Sequence, residues 1–297
     1  MNGDIAMTNA LTTASGRPAA EVLRMTPGRR VLLAIGVPVA LALIGWTGFG
    51  FVADIGQASF PVSDNIAVHD GQLAVSVNSG DLTVSGSSGT TARLTGKVQY
   101  DLIRPDFTES NTATGTRLGV ACRIPVGNCG LAATLEVPPR TAVSLSSGGG
   151  DLAVSGLDTD LTLNSYGGDM SVNGGSGRDT LYTGGGDLTA DNLSGVLTFY
   201  SAGGDIGSSG LSSSAVTAYS GGGDVALVFT QVPRNLSITS AGGDISVILP
   251  PGDASYDLVT NTGGGDISEP GIKINNSSSN QITLDSGGGD ISVTEAS

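Results

Sequence analysis

The sequence predicts an all-β chain: a single-stranded parallel β-solenoid (β-helix) with about 18–24 residues per coil, preceded by one N-terminal transmembrane helix. Three observations lead to this prediction. A Gly-Gly-Asp motif recurs eight times, the residues around each motif alternate between apolar and polar, and one long uncharged apolar run lies near the N-terminus. Internal periods of about 20–50 residues are typical of solenoids, and alternation with period two is typical of strands.

The repeat is clearest when the chain is aligned on the aspartate of each motif. Successive steps are 18, 18, 18, 19, 20, 22 and 24 residues, and Ser or Thr always stands four residues before the aspartate. An aliphatic residue always follows it, and a mostly apolar position lies six residues before it. A ninth, weaker copy contains Asp81 and Leu82. The eight regular aspartates are Asp151, Asp169, Asp187, Asp205, Asp224, Asp244, Asp266 and Asp290.

The Gly-Gly-Asp motif is interpreted as a structural corner between two strands of each coil. Glycine permits a positive φ and a close approach of neighbouring coils, and the aspartate can accept hydrogen bonds from nearby amides, as in Asx turns. The alternative is a calcium site. Calcium takes six to eight oxygen ligands, whereas each repeat offers one regular carboxylate, so the motif favours the structural role and we expect no metal and no cofactor.

Four segments are predicted along the chain: a short cytoplasmic tail over 1–30, a transmembrane helix over 31–53, an irregular β-rich start or cap of the solenoid over 54–140, and the regular repeat solenoid over 141–297. Within 54–140, residues 101–115 are predicted to be a loop. The run over 31–53 has no charge and is long enough to cross a bilayer. Arg29 and Arg30 precede it, which predicts a single-pass cell-membrane protein with a cytoplasmic N-terminus and an extracellular C-terminal domain. Cleavage near 56–58 is the alternative, and both interpretations export residues 59–297.

Charge and cysteine content narrow the function classes. The formal charges sum to +2 over residues 1–53 and to −16 over the remainder, and so acidic a surface argues against nucleic-acid binding.

Cys122 and Cys129 flank a turn-rich segment between two predicted strands. We expect a hairpin there, closed by a disulfide between the two sulfurs, with two unpaired thiols as the alternative.

A candidate binding surface consists of Tyr182, Tyr200 and Tyr219, each five residues before an aspartate of the repeat. The alternation places the three side chains on the outside of successive coils. They are interpreted either as a flat platform for sugars or a partner surface, or as a side-chain ladder that only stabilises the stack.

Catalytic patterns are weak in this sequence. Asp158 and Asp160 form a carboxylate pair, but nothing in the pattern indicates the sheltered cleft that a glycosidase needs. The single histidine, His69, stands beside Asp70 without a nucleophile motif such as G-x-S-x-G. The glycine runs lead into strands and not helices, so they are not phosphate-binding loops. We therefore expect a protein that is not an enzyme.

The repeated S-x-G-G-D-[IL]-x-V units behind one membrane segment resemble the bacterial "putative adhesin" β-solenoid domain family (a domain of unknown function, DUF4097-like), in its membrane-anchored actinobacterial form. The resemblance covers about residues 65–297. It implies a β-solenoid and a location in the cell envelope. It carries no catalytic residues to transfer to this chain.

These observations predict a non-enzymatic adhesin-like or scaffold protein of the bacterial cell envelope, which binds a glycan or protein partner through the solenoid surface. One alternative is an accessory component of a cell-envelope stress-sensing system, and a polysaccharide-active β-helix enzyme is a second. Because the chain ends just after Val293, the last coil is also expected to leave an open edge at the C-terminus, through which copies could self-associate.

Overall fold

The computed structural model describes residues 58–101, 103–112, 115–121, 129–138 and 140–297. The predicted cytoplasmic tail and transmembrane segment, 1–30 and 31–53, lie outside these described residues. The described residues form an all-β structure of two long sheets that consist mostly of parallel strands. The predicted fold class is therefore confirmed for the described part of the chain.

Within the described ranges, no helix has the length and apolar character needed to cross a membrane.

The strands in chain order are β1 (Ala58–Ile66), β2 (Gln72–Val77), β3 (Leu82–Gly86), β4 (Ala92–Tyr100), β5 (Asp106–Thr112), β6 (Gly115–Ala121), β7 (Cys129–Val137), β8 (Ala142–Ser147), β9 (Leu152–Ser155), β10 (Leu161–Ser165), β11 (Met170–Gly175), β12 (Arg178–Thr183), β13 (Leu188–Leu193), β14 (Val196–Ser201), β15 (Ile206–Leu211), β16 (Ala215–Ser220), β17 (Val225–Phe229), β18 (Asn235–Ser240), β19 (Ile245–Leu249), β20 (Asp257–Thr262), β21 (Ile267–Ser268), β22 (Gln281–Ser286) and β23 (Ile291–Glu295).

Each coil contributes one strand to each sheet, and the Gly-Gly-Asp corner lies between the two strands. Sheet A has the strand order β1-β4-β7-β3-β9-β11-β13-β15-β17-β19-β23-β21. Sheet B has the order β20-β22-β18-β16-β14-β12-β10-β8-β2-β6-β5. The strand before each corner belongs to sheet B and the strand after it to sheet A. The two inner faces enclose a narrow core along the whole stack.

The core consists of in-register columns of apolar side chains, as the alternation predicts. In sheet A, Leu152 pairs with Met170 and Met170 with Leu188. In sheet B, Leu163 pairs with Leu181. All four of these leucines and Met170 are almost fully buried. Each successive coil thus places its inward residues directly over those of its neighbour, and apolar burial stabilises every coil through the next one.

Glycine is needed immediately before the aspartate because neighbouring coils come very close together there. At the eight regular motifs, a Cβ added to this glycine would lie 2.1–2.5 Å from the nearest backbone atom of the neighbouring coil. The prediction of positive φ was mostly wrong, because among these eight glycines only Gly150 has a left-handed φ, of 103°. The first glycine of the motif is different. At Gly203, for example, nothing lies within 4 Å of an added Cβ.

The coils do not follow chain order at the N-terminal end. The weak copy stacks directly on the first regular repeat, because Leu82 pairs with Leu152 although they are far apart in sequence. The intervening chain builds the next coil outward from β6 and β7, and antiparallel β4, β1 and β5 then close the end. The region 54–140 thus contains both coils and a cap. Its predicted loop over 101–115 was wrong in part, since residues 106–112 form β5.

The predicted hairpin between the cysteines was wrong, because its two flanking strands belong to different sheets. Strand β6 pairs with β2 and β5 in sheet B, whereas β7 pairs with β3 and β4 in sheet A. Cys129 begins β7 and is disulfide-bonded. Cys122 lies outside the described residues, so the pairing of the two cysteines stays a prediction.

The last two coils are also exchanged, so the prediction of an open edge at the C-terminus was wrong. Strands β22 and β23, which come last in the chain, lie between the coil of β18 and β19 and the coil of β20 and β21. The terminal coil of the stack is therefore formed by β20 and β21, residues 257–268. The chain terminus itself lies one coil inside this end.

The two glycines of one motif should respond differently to the same substitution. Gly204→Ala would place a Cβ 2.2 Å from the carbonyl oxygen of Gly186, so we expect a loss of about 1–3 kcal/mol in unfolding free energy. Gly203→Ala meets open space and should change it by less than about 0.5 kcal/mol. Urea unfolding of the full chain, followed by circular dichroism, measures both. Equal effects of the two substitutions would contradict the close-contact explanation.

Candidate functional site

The predicted corner aspartates form one continuous ladder of hydrogen bonds along the stack. The carboxylate Oδ1 of each aspartate accepts a hydrogen bond from the backbone amide of the aspartate in the next coil, at 2.7–3.0 Å. The aspartates accept hydrogen bonds from backbone amides, as predicted. The donor amides, however, belong to the neighbouring coil and not to the turn that contains the aspartate. In stacking order the ladder, here called the aspartate ladder, contains Asp81, Asp151, Asp169, Asp187, Asp205, Asp224, Asp244, Asp290 and Asp266.

At most corners the Ser or Thr four residues before the aspartate accepts a hydrogen bond from a glycine amide of the same corner, whereas the buried Ser201 hydroxyl has no hydrogen-bond partner among the described residues. At Ser286, for example, the hydroxyl donates to the carbonyl oxygen of Gly243 in the neighbouring coil at 2.9 Å and accepts from the amide of Gly289 in its own corner at 2.8 Å. The pair Ser240 and Gly223 repeats this arrangement. Sequence analysis assigned no role to this position, although the presence of Ser or Thr in all eight repeats indicated one. The hydroxyl satisfies backbone groups that would otherwise be buried without a partner.

The aspartate ladder therefore acts as a structural device. Each carboxylate is used by a backbone amide of the next coil, which offsets the repulsion between neighbouring carboxylates. In the described part of the chain, no group of three or more His, Cys, Asp or Glu side chains could hold a metal ion.

Tyr182, Tyr200 and Tyr219, here called the tyrosine column, are brought together on the outer face of sheet B. Their ring centroids are 4.9 and 4.8 Å apart with interplanar angles of 11° and 13°. Tyr166, which sequence analysis missed because it stands three residues before Asp169 and not five, meets Tyr182 edge-on at 6.1 Å. The rings are stacked on one another along the solenoid axis. They therefore present mainly edges and hydroxyl groups to solvent, and a flat platform for sugars would need exposed ring faces.

A row of hydroxyl side chains runs beside the tyrosine column. Its members are exposed on the outer face of sheet B, two residues before the tyrosine position of each coil, and they pair in register from one coil to the next. This threonine column consists of Thr162, Thr180, Thr198, Thr217, Ser237 and Thr283. Neighbouring hydroxyls are thus repeated at the strand spacing of about 4.8 Å. The threonine column could have been predicted from the alternation, which places these residues on the outside of successive coils, but sequence analysis did not identify it.

Two shallow depressions lie at the beginning of the sheet B strands, on the far side of the threonine column from the tyrosines. One has a volume of about 350 Å³, and its lining includes Gln72, Arg117, Asp160 and Thr162. The other has a volume of about 180 Å³, and its lining includes Asn235 and Gln281. Amide, carboxylate and guanidinium groups at these positions offer hydrogen bonds in both directions.

The outer face of sheet A has a different chemistry. Its side chains in the position after the first inward residue are small, and they are in register along the stack. They are Ala153, Ser171, Thr189, Gly207, Ala226, Ser246, Ser292 and Ser268. Hydroxyl groups occur on both faces, but the stacked aromatic side chains lie on sheet B beside the threonine column, which makes this face the candidate binding surface.

One buried carboxylate was missed by sequence analysis. Asp179 occupies an inward position of β12, where the paired residues on β10 and β14 are Leu161 and Leu197. The side chain is fully buried, and its two oxygens accept no hydrogen bond from another described side chain. Burial raises the pKa of Asp179 to about 6; the backbone amide of Leu161 opposes this rise, and the charge of Asp160 adds to it. The sequence did contain a signal for this buried carboxylate, because Asp179 stands at the repeat position that Leu161 and Leu197 occupy in the neighbouring coils.

The remaining catalytic candidates are engaged in local structure. Asp158 and Asp160 lie exposed in the turn before β10, and the Asp160 carboxylate accepts a hydrogen bond from the amide of Arg178 at 2.8 Å. His69 lies near Ala67 and Thr116, with Nδ1 3.2 Å from the Ala67 carbonyl oxygen. Asp70 adopts a left-handed φ of 51° in the adjoining turn. None of these side chains belongs to the tyrosine column, whereas Asp160 lines the larger depression together with Thr162 of the threonine column.

The model of the Toastrack DUF4097 family matches residues 61–294. The chain belongs to this family. The Toastrack domain thus covers the solenoid and its cap, and the resemblance inferred from the repeat motif is confirmed. Among curated proteins, none is significantly similar to this chain in sequence.

Solved structures similar to this Toastrack chain come from bacteria. A putative adhesin from Parabacteroides distasonis has 13% sequence identity and a TM-score of 0.51, and the match covers 81% of this chain and 97% of that one. A putative adhesin from Parabacteroides merdae has 12% identity and a TM-score of 0.46, with 81% and 96% covered. A putative cell adhesion protein from Clostridium sporogenes has 13% identity and a TM-score of 0.26, with 80% and 100% covered. At 13% identity, the Parabacteroides distasonis structure shows similarity of fold alone.

The aspartate ladder should contribute measurably to stability. Asp205→Ala removes the acceptor that the amide of Asp224 uses at 2.8 Å, and we expect it to cost about 1–2 kcal/mol of unfolding free energy. Asp205→Asn keeps an oxygen at that place and should cost less than half as much. Urea unfolding of the full chain measures both variants, with Asp158→Ala, in an exposed turn outside the ladder, as the control. An equal loss of unfolding free energy in Asp205→Ala and Asp158→Ala would contradict a stabilising role of the aspartate ladder.

Asp179 should make stability depend on pH. Because its folded-state pKa of about 6 lies above the ordinary 3.8, the contribution of Asp179 is fully present below about pH 4 and is lost as the pH rises through 6. We expect the wild-type chain to lose roughly 1–3 kcal/mol of unfolding free energy from this group between pH 4 and pH 8. Asp179→Leu should remove this part of the pH dependence, whereas Asp158→Asn should not. Unfolding midpoints measured across this range test it, and identical profiles of wild type and Asp179→Leu would contradict it.

Proposed function

We propose that this protein is a non-enzymatic adhesin-like module of the bacterial cell envelope, which binds an extended envelope glycan along the outer face of sheet B. The observation that carries the proposal is the threonine column, with the tyrosine column on one side and polar depressions on the other. The adhesin names of structurally similar proteins agree with this proposal at the level of a general role.

The chemistry of the sheet B face favours a polyhydroxylated ligand. Hydroxyl groups repeat in register along the stack, so a regular linear polymer could make the same hydrogen bonds on several coils. Such multiple contacts raise the overall affinity of individually weak sites. The net charge of −16 over residues 54–297 makes an anionic polymer a poor ligand.

A protein partner is the less favoured class of ligand for this face. Specific protein interfaces usually have a core of aromatic and apolar side chains that become fully desolvated. Beside and on sheet B, the large exposed apolar side chains of the central coils are Val196, Tyr166 and the edges of Tyr200 and Tyr219, and the threonine column lies between Val196 and the tyrosines. This composition lacks a broad apolar centre.

We further propose that residues 31–53 anchor the solenoid to the cell membrane, with the N-terminus in the cytoplasm and the solenoid outside. The basis is the uncharged run after Arg29 and Arg30. A role in cell-envelope stress sensing would depend on this same segment and on a partner protein that binds it.

A polysaccharide-active enzyme has less support than these proposals. Asp158 and Asp160 are exposed in a turn, and the Asp160 carboxylate already accepts a hydrogen bond from the amide of Arg178.

A bulky charge on the sheet B face should abolish glycan binding without unfolding the protein. In the double variant Thr198→Lys and Thr217→Lys, two long side chains would cover the threonine column of adjacent coils. We expect at least a tenfold loss of retention on purified cell-wall polysaccharide, measured by pull-down and by biolayer interferometry with the full chain in detergent.

The matched control is the double variant Ser171→Lys and Thr189→Lys, which adds two lysines to adjacent coils on the outer face of sheet A and should bind like wild type. Equal retention of the wild type, the sheet B variant and the sheet A variant would contradict the proposal. Wild-type binding to surface proteins but not to protease-treated polysaccharide would contradict a glycan ligand and favour a protein ligand.

A further inference from the structure

The end of the stack formed by β20 and β21 has an unpaired sheet edge. The amides of Asp257 and Gly263 donate to the carbonyl oxygens of Asn280 and Ser286, next to and on β22. Backbone groups point to alternate sides along a strand, so the amides of Leu258, Thr260 and Thr262 face away from β22. Within the described part of the chain, no further strand pairs with β20 on that side. These groups are therefore available to another strand.

The aspartate ladder is also unfinished at this end. Asp266 is its last member: its amide donates to Asp290, but no described residue donates to its own carboxylate. The amide of Ile267 has no following coil to accept from it, whereas the amide of Ile291, one coil inside, donates to the carbonyl oxygen of Asp266. The terminal coil thus offers both a donor and an acceptor in the pattern that every inner coil uses for its neighbour.

Apolar side chains are exposed at the same end. Val259, Ile274 and Ile267 are 54%, 51% and 45% exposed. Ile267 stands in the column whose inner members, such as Ile291 and Ile245, are buried, and it is exposed because no coil covers it. The segment that joins β21 to β22 covers only the beginning of the edge, where Tyr256 bridges to Ile274.

The opposite end of the solenoid is protected against pairing. Its outermost strands are β1 and β5, both antiparallel to their neighbours. Strand β1 carries Pro61 and Asp64, and β5 carries Asp106 and Glu109. Proline and charged side chains on edge strands are common protection against unwanted strand pairing.

We propose that the β20 edge binds a second copy of this chain, so that two solenoids join end to end about a two-fold axis with β20 antiparallel to β20 of the other copy. A two-fold arrangement uses the same unprotected edge twice and leaves the protected ends outside the contact. It also buries Val259 and Ile267 of both copies. The edge of a single strand is a small interface, so the dimer is weak, with a dissociation constant on the order of micromolar.

Backbone geometry limits the register, and the side chains select it. Antiparallel strands form hydrogen bonds only when residues whose backbone groups face the partner strand lie opposite each other, so Leu258 and Thr260 must each lie opposite a residue of this kind. With Val259 opposite Val259 of the second copy, Leu258 and Thr260 exchange hydrogen bonds across the contact. The same register places Asp257 opposite Asn261 and keeps the two Asp257 carboxylates apart. Directly opposed apolar side chains stabilise such a pair, whereas opposed like charges destabilise it.

The edge lies at the end opposite to β1, where the chain enters the solenoid. In a chain anchored through residues 31–53, as proposed above, it is the edge that is free to meet a copy on a facing cell. The self-association would then be adhesion between like cells. It does not depend on glycan binding by sheet B, so the two proposals can fail separately.

Site-specific crosslinking tests the register. In the full chain in detergent, Val259→Cys places two thiols in directly opposed positions of the dimer, with Cβ atoms about 4.5–5.5 Å apart, close to disulfide distance. Asn261→Cys, on the same face and strand, would place its two thiols about 13 Å apart. We expect a disulfide-linked dimer for Val259→Cys on non-reducing gels at least tenfold faster than for Asn261→Cys, with the wild-type chain as the baseline.

Light scattering with edge variants tests the pairing itself. Thr260→Pro removes an outward-facing amide that β22 does not use, so it should abolish the dimer while the unfolding midpoint stays within a few degrees of wild type. Thr260→Ala keeps the amide and should dimerise like wild type. A wild-type chain that is monomeric at about 100 µM overturns the proposal, as does a Thr260→Pro variant that is folded and still dimeric. Equal crosslinking of Val259→Cys and Asn261→Cys overturns the register and the proposal with it.

Discussion

The contact between backbones at the Gly-Gly-Asp corner is the constraint on which the rest of the structure depends. The glycine before each aspartate lies against a backbone atom of the neighbouring coil, and the aspartate carboxylate accepts the amide of the next coil. Together they fix both the separation and the register of successive coils. Because the corner is the same in every coil, the side chains at a constant distance from it must form columns. The apolar columns inside and the hydroxyl and aromatic columns outside follow from this one contact.

A stack held together in this way does not require its coils to follow chain order. Any segment with a compatible corner can occupy any place in the stack, and two exchanges occur here. Strand β3 pairs with β9 across a long excursion of the chain, and β22 and β23 lie between β18 and β19 on one side and β20 and β21 on the other. Both exchanges require contacts between distant parts of the sequence, which generally slow folding. They also determine which strands form the two ends, and hence which edge is protected and which is open.

The two faces of the solenoid differ although the same corner generates both. Small side chains line sheet A, whereas stacked tyrosines and a column of threonines line sheet B. Stacking of the tyrosine rings stabilises the column but covers the ring faces, so the useful groups on this surface are edges and hydroxyls. Inside, Asp179 interrupts a column of leucines, and its burial costs stability at neutral pH. Such an acid has no structural advantage that the described contacts reveal.

Local sequence pattern is enough to predict the all-β solenoid, the corner, the inward columns and the outward position of Tyr182, Tyr200 and Tyr219. These features depend on spacing within one repeat, and alternation and glycine placement report that spacing directly. Four features emerge only from the folded structure: the order of the coils, the protected and open ends, the separation of the cysteine-flanking strands into two sheets, and the stacked orientation of the rings. They could not be predicted because nearly identical corners make many coil orders locally equivalent. The choice among them rests on contacts between residues as distant as Asp81 and Asp151, which no local pattern encodes.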